Sequence, residues 1–306
     1  DEHVEAASRF AVRVADESAF GARARFLEAL LAYKRGNENK ALTSFKSVVR
    51  LTKDTEDPKE KDLREAAFFQ LARTHFGAQQ PTFSIFYYAK VDRDSYDWLD
   101  SLYEASWAEF RLGNYEKALG NLLTVHAPFF RDLYFPESHI LKAVIYYENC
   151  RYGEAKDILT RFLGRYEPIL SELERLASEP QSSDEFYSIL KNLESEDLAE
   201  SESADKRTLA QILAIALEDP EIKRLDASHG EVVAELAAVQ TETELSESAL
   251  ASALEQRLVA ARDNLARDAG RAVKNKLQRE RTAIKDLVQQ AVRIDIETSR
   301  SEQERI

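Results

Sequence analysis

The reading of the fold rests on Phe110-Arg-Leu-Gly-Asn-Tyr-Glu-Lys-Ala-Leu119 and its counterpart one repeat later, Ile145-Tyr-Tyr-Glu-Asn-Cys-Arg-Tyr-Gly-Glu-Ala155. Each runs from the end of one amphipathic helix through a tight polar turn to a second helix that opens on a small residue. Working outward, the same pattern occurs four times. The second helices open on Ala41, Ser84, Ala118 and Ala155, which lie 43, 34 and 37 residues apart. Four places after each opener stands a large residue, Phe45, Tyr88, Leu122 or Leu159, and twelve places before it a small one, Ala29, Ala72, Ser106 or Ala143. Two helices approach to about 8–10 Å only where the contact carries small side chains, with a larger neighbour filling the groove beside it. A short turn with Gly or Asn suits the left-handed backbone at a helix C-terminus.

The periodicity places helical faces along most of the chain. Val4, Ala7, Phe10 and Val14, then Phe26, Leu27, Leu30 and Leu31, recur at three- and four-residue steps. Gly36-Asn37 breaks this run before Ala41, and Pro58 lies in a polar connection before Leu63–Phe76. The next segments are Phe83–Val91, Tyr96–Phe110, Tyr115–Val125, Ser138–Asn149 and Tyr152–Tyr166, with Pro168 expected to close the last. Residues 168–196 read as a looser terminal pair, Glu194–Asp205 as an acidic, serine-rich linker and Arg207–Leu217 as a short helix. From Gly230 the aromatics vanish, and apolar residues near 254, 265, 277 and 288 repeat about every eleven positions. That spacing predicts one long helix, or two with a break near Gly270, whose narrow stripe must lie on another helix. Three segments result: a repeat domain over 1–196, an acidic linker and short helix over 197–230, and a long coiled-coil-like helix over 231–306.

The four pairs resemble the tetratricopeptide repeat, a helix-turn-helix unit of about 34 residues. The likeness covers roughly residues 22–168. Glu109 stands where that family usually has an aromatic, Cys150 where it has the turn glycine, and Pro81 and Ser84 mark the weakest unit. The resemblance implies an all-α, tetratricopeptide-like solenoid of four to five helix pairs, followed by the long C-terminal extension. It also implies a non-catalytic scaffold that holds a partner peptide or helix in a concave groove. By analogy the groove candidates are Tyr33, His75, Tyr103, Trp107, Arg111, His139, Lys142 and Tyr146. The wording of Tyr134-Phe-Pro-Glu-Ser-His139 together with Asn149-Cys-Arg-Tyr-Gly-Glu-Ala155 is similar to bacterial cell-envelope repeat proteins, including outer-membrane assembly factors and myxobacterial gliding-motility proteins. That likeness implies a periplasmic place in an envelope assembly, with the cytoplasm as the alternative.

Composition sets further bounds. A formal charge of −13 opposes general nucleic-acid binding, since phosphates would meet a repelling surface. No apolar run of eighteen residues exists to span a membrane. The start at Asp1 without a methionine suggests a processed or trimmed beginning. One cysteine excludes an internal disulfide and a cysteine-based zinc site. The five histidines lie too far apart for a helical metal pair, and no phosphate loop or nucleophile elbow occurs, so no metal, cofactor or enzymatic activity is expected. The aromatics Phe83–Tyr88 and Phe129-Phe130 with Tyr134-Phe135 have two readings, as filler between helices or as peptide anchors. The cations from Arg257 to Lys285 interleave with Glu255, Asp263, Asp268, Glu280 and Asp286, the pattern of a solvated helix laced with ion pairs. Their contrast with the acidic stretch 172–202 suggests that this helix folds back on the end of the repeats. The alternative makes it an oligomerisation device.

Overall fold

The structure, a computed structural model, describes residues 2–130, 134–178, 186–188, 191, 219–241 and 249–304. Every regular element among these residues is helical. They fall into two compact units, Asp1–Arg131 and Asp132–Ile306. The fourth helix pair and the long C-terminal helix therefore share a unit, although the sequence reading put them in separate segments, 1–196 and 231–306.

The first unit contains α1 (Glu2–Arg13), α2 (Gly21–Lys34), α3 (Glu38–Leu51), α4 (Pro58–Gly77), α5 (Pro81–Tyr88), α6 (Trp98–Arg111) and α7 (Tyr115–Val125), then a 3-10 turn at Pro128–Phe130. Each α-helix packs on the next, and α2 also touches α4. Proline at the first position of α4 and α5 starts those helices where its missing N–H costs nothing. Arg25 ties α1 down by donating to the carbonyls of Ala11 and Val14, at 3.2 and 2.6 Å, while pairing with Asp16 and Glu28.

The repeat is visible in the backbone. Gly36, Gln79, Gly113 and Cys150 all have positive φ, between 56° and 73°, and each lies five residues before an opener. At each of them the same two hydrogen bonds form. The amide of the positive-φ residue donates to the carbonyl three back, in Tyr33, Phe76, Phe110 or Tyr147, at 2.8–3.1 Å. The following amide, of Asn37, Gln80, Asn114 or Arg151, donates five back to Ala32, His75, Glu109 or Tyr146, at 2.8–2.9 Å. This is a Schellman C-cap. The carbonyl of that same following residue then accepts from the opener, Ala41, Ser84, Ala118 or Ala155, at 3.0–3.1 Å, so one residue ends one helix and caps the next. All four openers are fully buried, as are Ala29, Ala72, Ser106 and Ala143, with Phe45, Leu122 and Leu159 beside them and Tyr88 nearly so.

The second unit opens with the fourth pair, α8 (Pro136–Glu148) and α9 (Tyr152–Ser178). Pro168 does not end α9, which continues for ten residues beyond it. The stripe Leu159, Phe162, Tyr166, Ile169 and Leu173 continues buried across the proline. That uninterrupted burial offsets the lost backbone bond. The expected terminal pair over 168–196 is thus half absorbed into α9. Of its second half only 186–188 and 191 are described, and the linker and the short helix at 207–217 lie outside the described residues.

Two further helices follow, α10 (Pro220–Thr241) and α11 (Ala249–Gln303). Gly230 is therefore inside a helix of its own, and the long helix begins at Ala249 rather than near 231. Gly270 does not break it but is buried within it. Of the expected eleven-residue series, Leu277 and Val288 are buried, but Leu254 is exposed and Leu265 half-buried; the buried stripe passes instead through Leu258, Ala269, Val273 and Ile284. The stripe is covered from two sides. Along α9, Lys156 pairs with Glu302 at 2.7 Å and Glu174 with Lys285 at 3.6 Å, so the helices run antiparallel. Along α10, Gln240 donates to Glu255 at 2.7 Å and Asp219 faces Arg279 at 4.0 Å, again antiparallel. Helix α11 touches α8 as well as α9, the same three-way contact that α4 makes with α2 and α3. It occupies the place that the first helix of another pair would take.

Candidate functional site

The eight groove candidates come from the first helices of the pairs, and the Schellman caps decide what several of them do. His75, Glu109 and Tyr146 hold the same position, four residues before the positive-φ residue, and each pairs with the side chain five residues on. His75 Nδ1 meets Gln80 Oε1 at 2.7 Å, Asn114 Nδ2 donates to Glu109 at 2.6 Å, and the Arg151 guanidinium lies 4.8 Å over the Tyr146 ring. These contacts staple the turn from outside, in the place where an apolar contact often accompanies this cap.

His75 therefore offers no surface. Only 5% of it is exposed, and its ring is stacked 5.4 Å from Tyr87 and lies tilted 5.3 Å from Phe83. Burial holds its pKa below the ordinary histidine range against the opposing bond from Gln80. As a groove residue it is corrected to a packing residue. Glu109, a departure from the family pattern, is explained by the same staple.

Of the remaining candidates of the first unit, Tyr33 and Arg111 are exposed, whereas Tyr103 and Trp107 are half-buried. Tyr33 on α2 is 43% exposed, beside exposed Leu27 and Leu30. On α6, Tyr103, Trp107 and Arg111 follow one another at helical spacing, and Trp107 Nε1 donates to the Tyr103 hydroxyl at 3.1 Å. The Arg111 guanidinium lies 4.2 Å over Phe76 and donates to Gln79 Oε1 at 3.0 Å, bridging α6 to the turn after α4. In the second unit, His139, Lys142 and Tyr146 line α8 and are half-buried. The His139 ring is 6.4 Å from Phe162. Burial, reinforced by Arg161, depresses the Lys142 pKa. The structure thus groups the candidates within their units, Tyr33, Tyr103, Trp107 and Arg111 in one and the α8 trio in the other.

A network that sequence reading missed joins three helices of the first unit. Arg73 on α4 holds Glu104 on α6 through Nε at 2.9 Å to both carboxylate oxygens, and the Tyr88 hydroxyl on α5 donates to the same carboxylate at 2.6 Å. Burial pushes the pKa values of Tyr88, Asp97 and Asp100 up, with the charge of Glu104 adding to each. No local signal links residues so far apart in sequence, so only the fold reveals this cluster. Among the described residues, no group of histidine, cysteine or carboxylate side chains is arranged to hold a metal ion. No described helix is long and apolar enough to cross a membrane. The chain matches no known family model and no curated protein.

Proposed function

We propose that the protein is a non-catalytic scaffold of tetratricopeptide-like helix pairs that holds a partner peptide or helix on the side chains of α2 and α6, within a bacterial envelope assembly. One observation carries the reading. The hydrogen-bonded, half-buried pair Tyr103–Trp107 and the exposed Tyr33 sit on first helices whose Ala29 and Ser106 are fully buried, so part of each large side chain is left at the surface. Rigid aromatics held on packed helices lose little entropy on binding and are favoured as interface anchors. The envelope assignment rests on the likeness around Tyr134–His139 and Asn149–Ala155.

Selection from a random peptide-display library, followed by calorimetry of the recovered peptides, tests the scaffold reading. Trp107→Ala and Tyr33→Ala are expected to weaken recovered peptides by about tenfold or more, the usual mark of an anchor residue. Peptides that bind both variants as tightly as the parent would sink it. Fractionation of the native host tests the compartment, a cytosolic pool being the contrary result.

A further inference from the structure

A second concentration of exposed aromatics in the first unit uses none of these residues. It is formed by the segment between α5 and α6 together with the 3-10 turn, which enclose a cleft of about 520 Å³ lined by Arg93, Asp94, Tyr96, Trp98, Phe129 and Phe130. Its rings are set at steep angles. Phe129 stands at 90° to Phe130 with centroids 5.0 Å apart, and Trp98 meets Phe130 at 63° and 6.1 Å. Tyr96 is 93% and Phe129 86% exposed, so the fold makes almost no use of either.

The segment is nonetheless tied down. Asp92 N donates to Glu65 at 2.6 Å, Asp94 N to Asp92 Oδ1 at 3.0 Å, Ser95 N to the Asp92 carbonyl at 3.0 Å and Trp98 N to the Ser95 carbonyl at 3.2 Å. The Phe130 amide donates to the Ala127 carbonyl at 2.8 Å. The aromatic surface is therefore pre-ordered, which lowers the entropy cost of binding.

We infer that this cleft binds an extended, proline-containing peptide of a partner protein that carries a lysine or arginine beside its prolines. Crossed aromatic rings form slots for the edges of proline rings, and an extended proline-rich strand brings little entropy to lose. The volume is that of an ordinary ligand cleft, about 300–1,000 Å³. The charge selects the flanking residue. The segment carries Asp92, Asp94 and Asp97 against Lys90 and Arg93, one net negative charge, with the Arg93 guanidinium 5.2 Å over the Trp98 ring, and the whole chain is at −13. A phosphate backbone is disfavoured by the same carboxylates. A second copy of this chain does not fit, because its seven prolines are scattered singly and only Pro58 has a basic neighbour, at the start of α4.

Isothermal titration of the full chain with an acetylated Arg-Pro-Leu-Pro-Pro-Leu-Pro probe tests the assignment, beside one probe with every proline replaced by alanine and one with arginine replaced by glutamate. Saturable binding of the first is expected, with both others weaker by about tenfold or more. Tyr96→Ala and Phe129→Ala are expected to lose about tenfold each while the helical circular dichroism stays unchanged, since both positions are exposed. Equal binding of the alanine probe, or undiminished binding by both variants, overturns the proline slot. Equal binding of the glutamate probe overturns the cationic preference, and no saturable binding of any probe overturns the site.

Discussion

In the first unit Ala29, Ala41 and Ala67 lie under Phe45 and Leu71, and Ala72 and Ala105 lie with Phe69 and Tyr88, so each core cluster draws on neighbouring helices. In the second unit Ile140, Leu159 and Phe162 share one cluster with Ala269, Ile284 and Ala291, more than a hundred residues further along the chain. The two units solve the same problem differently. Where pairs follow one another, small residues at each crossing let the next helix approach. Where pairs stop, the exposed side of α8 and α9 remains apolar, and a single long helix returns to cover it. A repeat array needs such an end piece because its last unit cannot bury its own face.

The contrast is broken most readily at Ile284, which is fully buried where α11 meets the fourth pair. Ile284→Asp is expected to cost about 3–5 kcal/mol, because a buried carboxylate there has no partner to compensate it. Chemical denaturation followed by circular dichroism would measure it. At the crossing between α6 and α7, Ala118→Leu is expected to cost about 1–3 kcal/mol, since the extra methylenes must push two helices apart. An Ile284→Asp loss no larger than that of Ala118→Leu would mean that the long helix is not what completes the second unit.

The same contrast explains what was legible in the sequence. Small openers, large partners and turn glycines act within a few residues of one another, so their spacing alone located all four pairs. The burial of Ala41, Ser84, Ala118 and Ala155 follows from that spacing. Long-range coverage leaves no such mark. Pro168 read as a stop because its backbone cost is local, whereas the burial that carries α9 past it comes from α11, far along the chain. The start of α11 at Ala249 was hidden for a related reason. Residues 220–241 carry the same alanine- and glutamate-rich composition as α11 but form the separate helix α10 packed against it. Site residues were the least legible. His75 and Tyr146 lie on first helices as expected, yet the turn contacts that engage them depend on Gln80 and Arg151, whose roles appear only once the cap geometry is known.

The four caps sharpen the comparison at smaller energies. Gly113→Ala is expected to destabilise by about 1 kcal/mol, since an L side chain at φ +73° is strained. Cys150→Gly, at φ +56° on an exposed position, is expected to stabilise by about 0.5–1 kcal/mol, relief of strain outweighing the added freedom of the unfolded glycine. Gln79→Gly should gain less, because the Gln79 side chain accepts from Arg111. Thermal unfolding of the three variants would order them. Equal shifts for Cys150→Gly and Gly113→Ala would show that the turns are not equivalent.

The smallest effects separate the units by the sign of their pH dependence. In the first unit Asp100 is held above the ordinary carboxylate range, first by burial and then by Glu104, with Arg73 opposing. In the second, burial works to raise Asp226 as well, but bonds from Lys191 at 2.6 Å and Tyr187 at 2.7 Å prevail and hold it below that range. A raised folded pKa means that the folded state takes up the proton more readily. The contribution of Asp100 is therefore favourable below the unfolded value of about 3.9 and is lost as pH climbs through the folded one. For Asp226 the contribution is present above that unfolded value and is lost as pH falls through the folded one. Asp100→Asn is accordingly expected to raise stability at neutral pH and Asp226→Asn to lower it, with both differences shrinking towards pH 3. Denaturation at the two pH values would measure each. A loss of stability for Asp100→Asn at neutral pH would show that the attraction of Arg73 outweighs burial at this carboxyl.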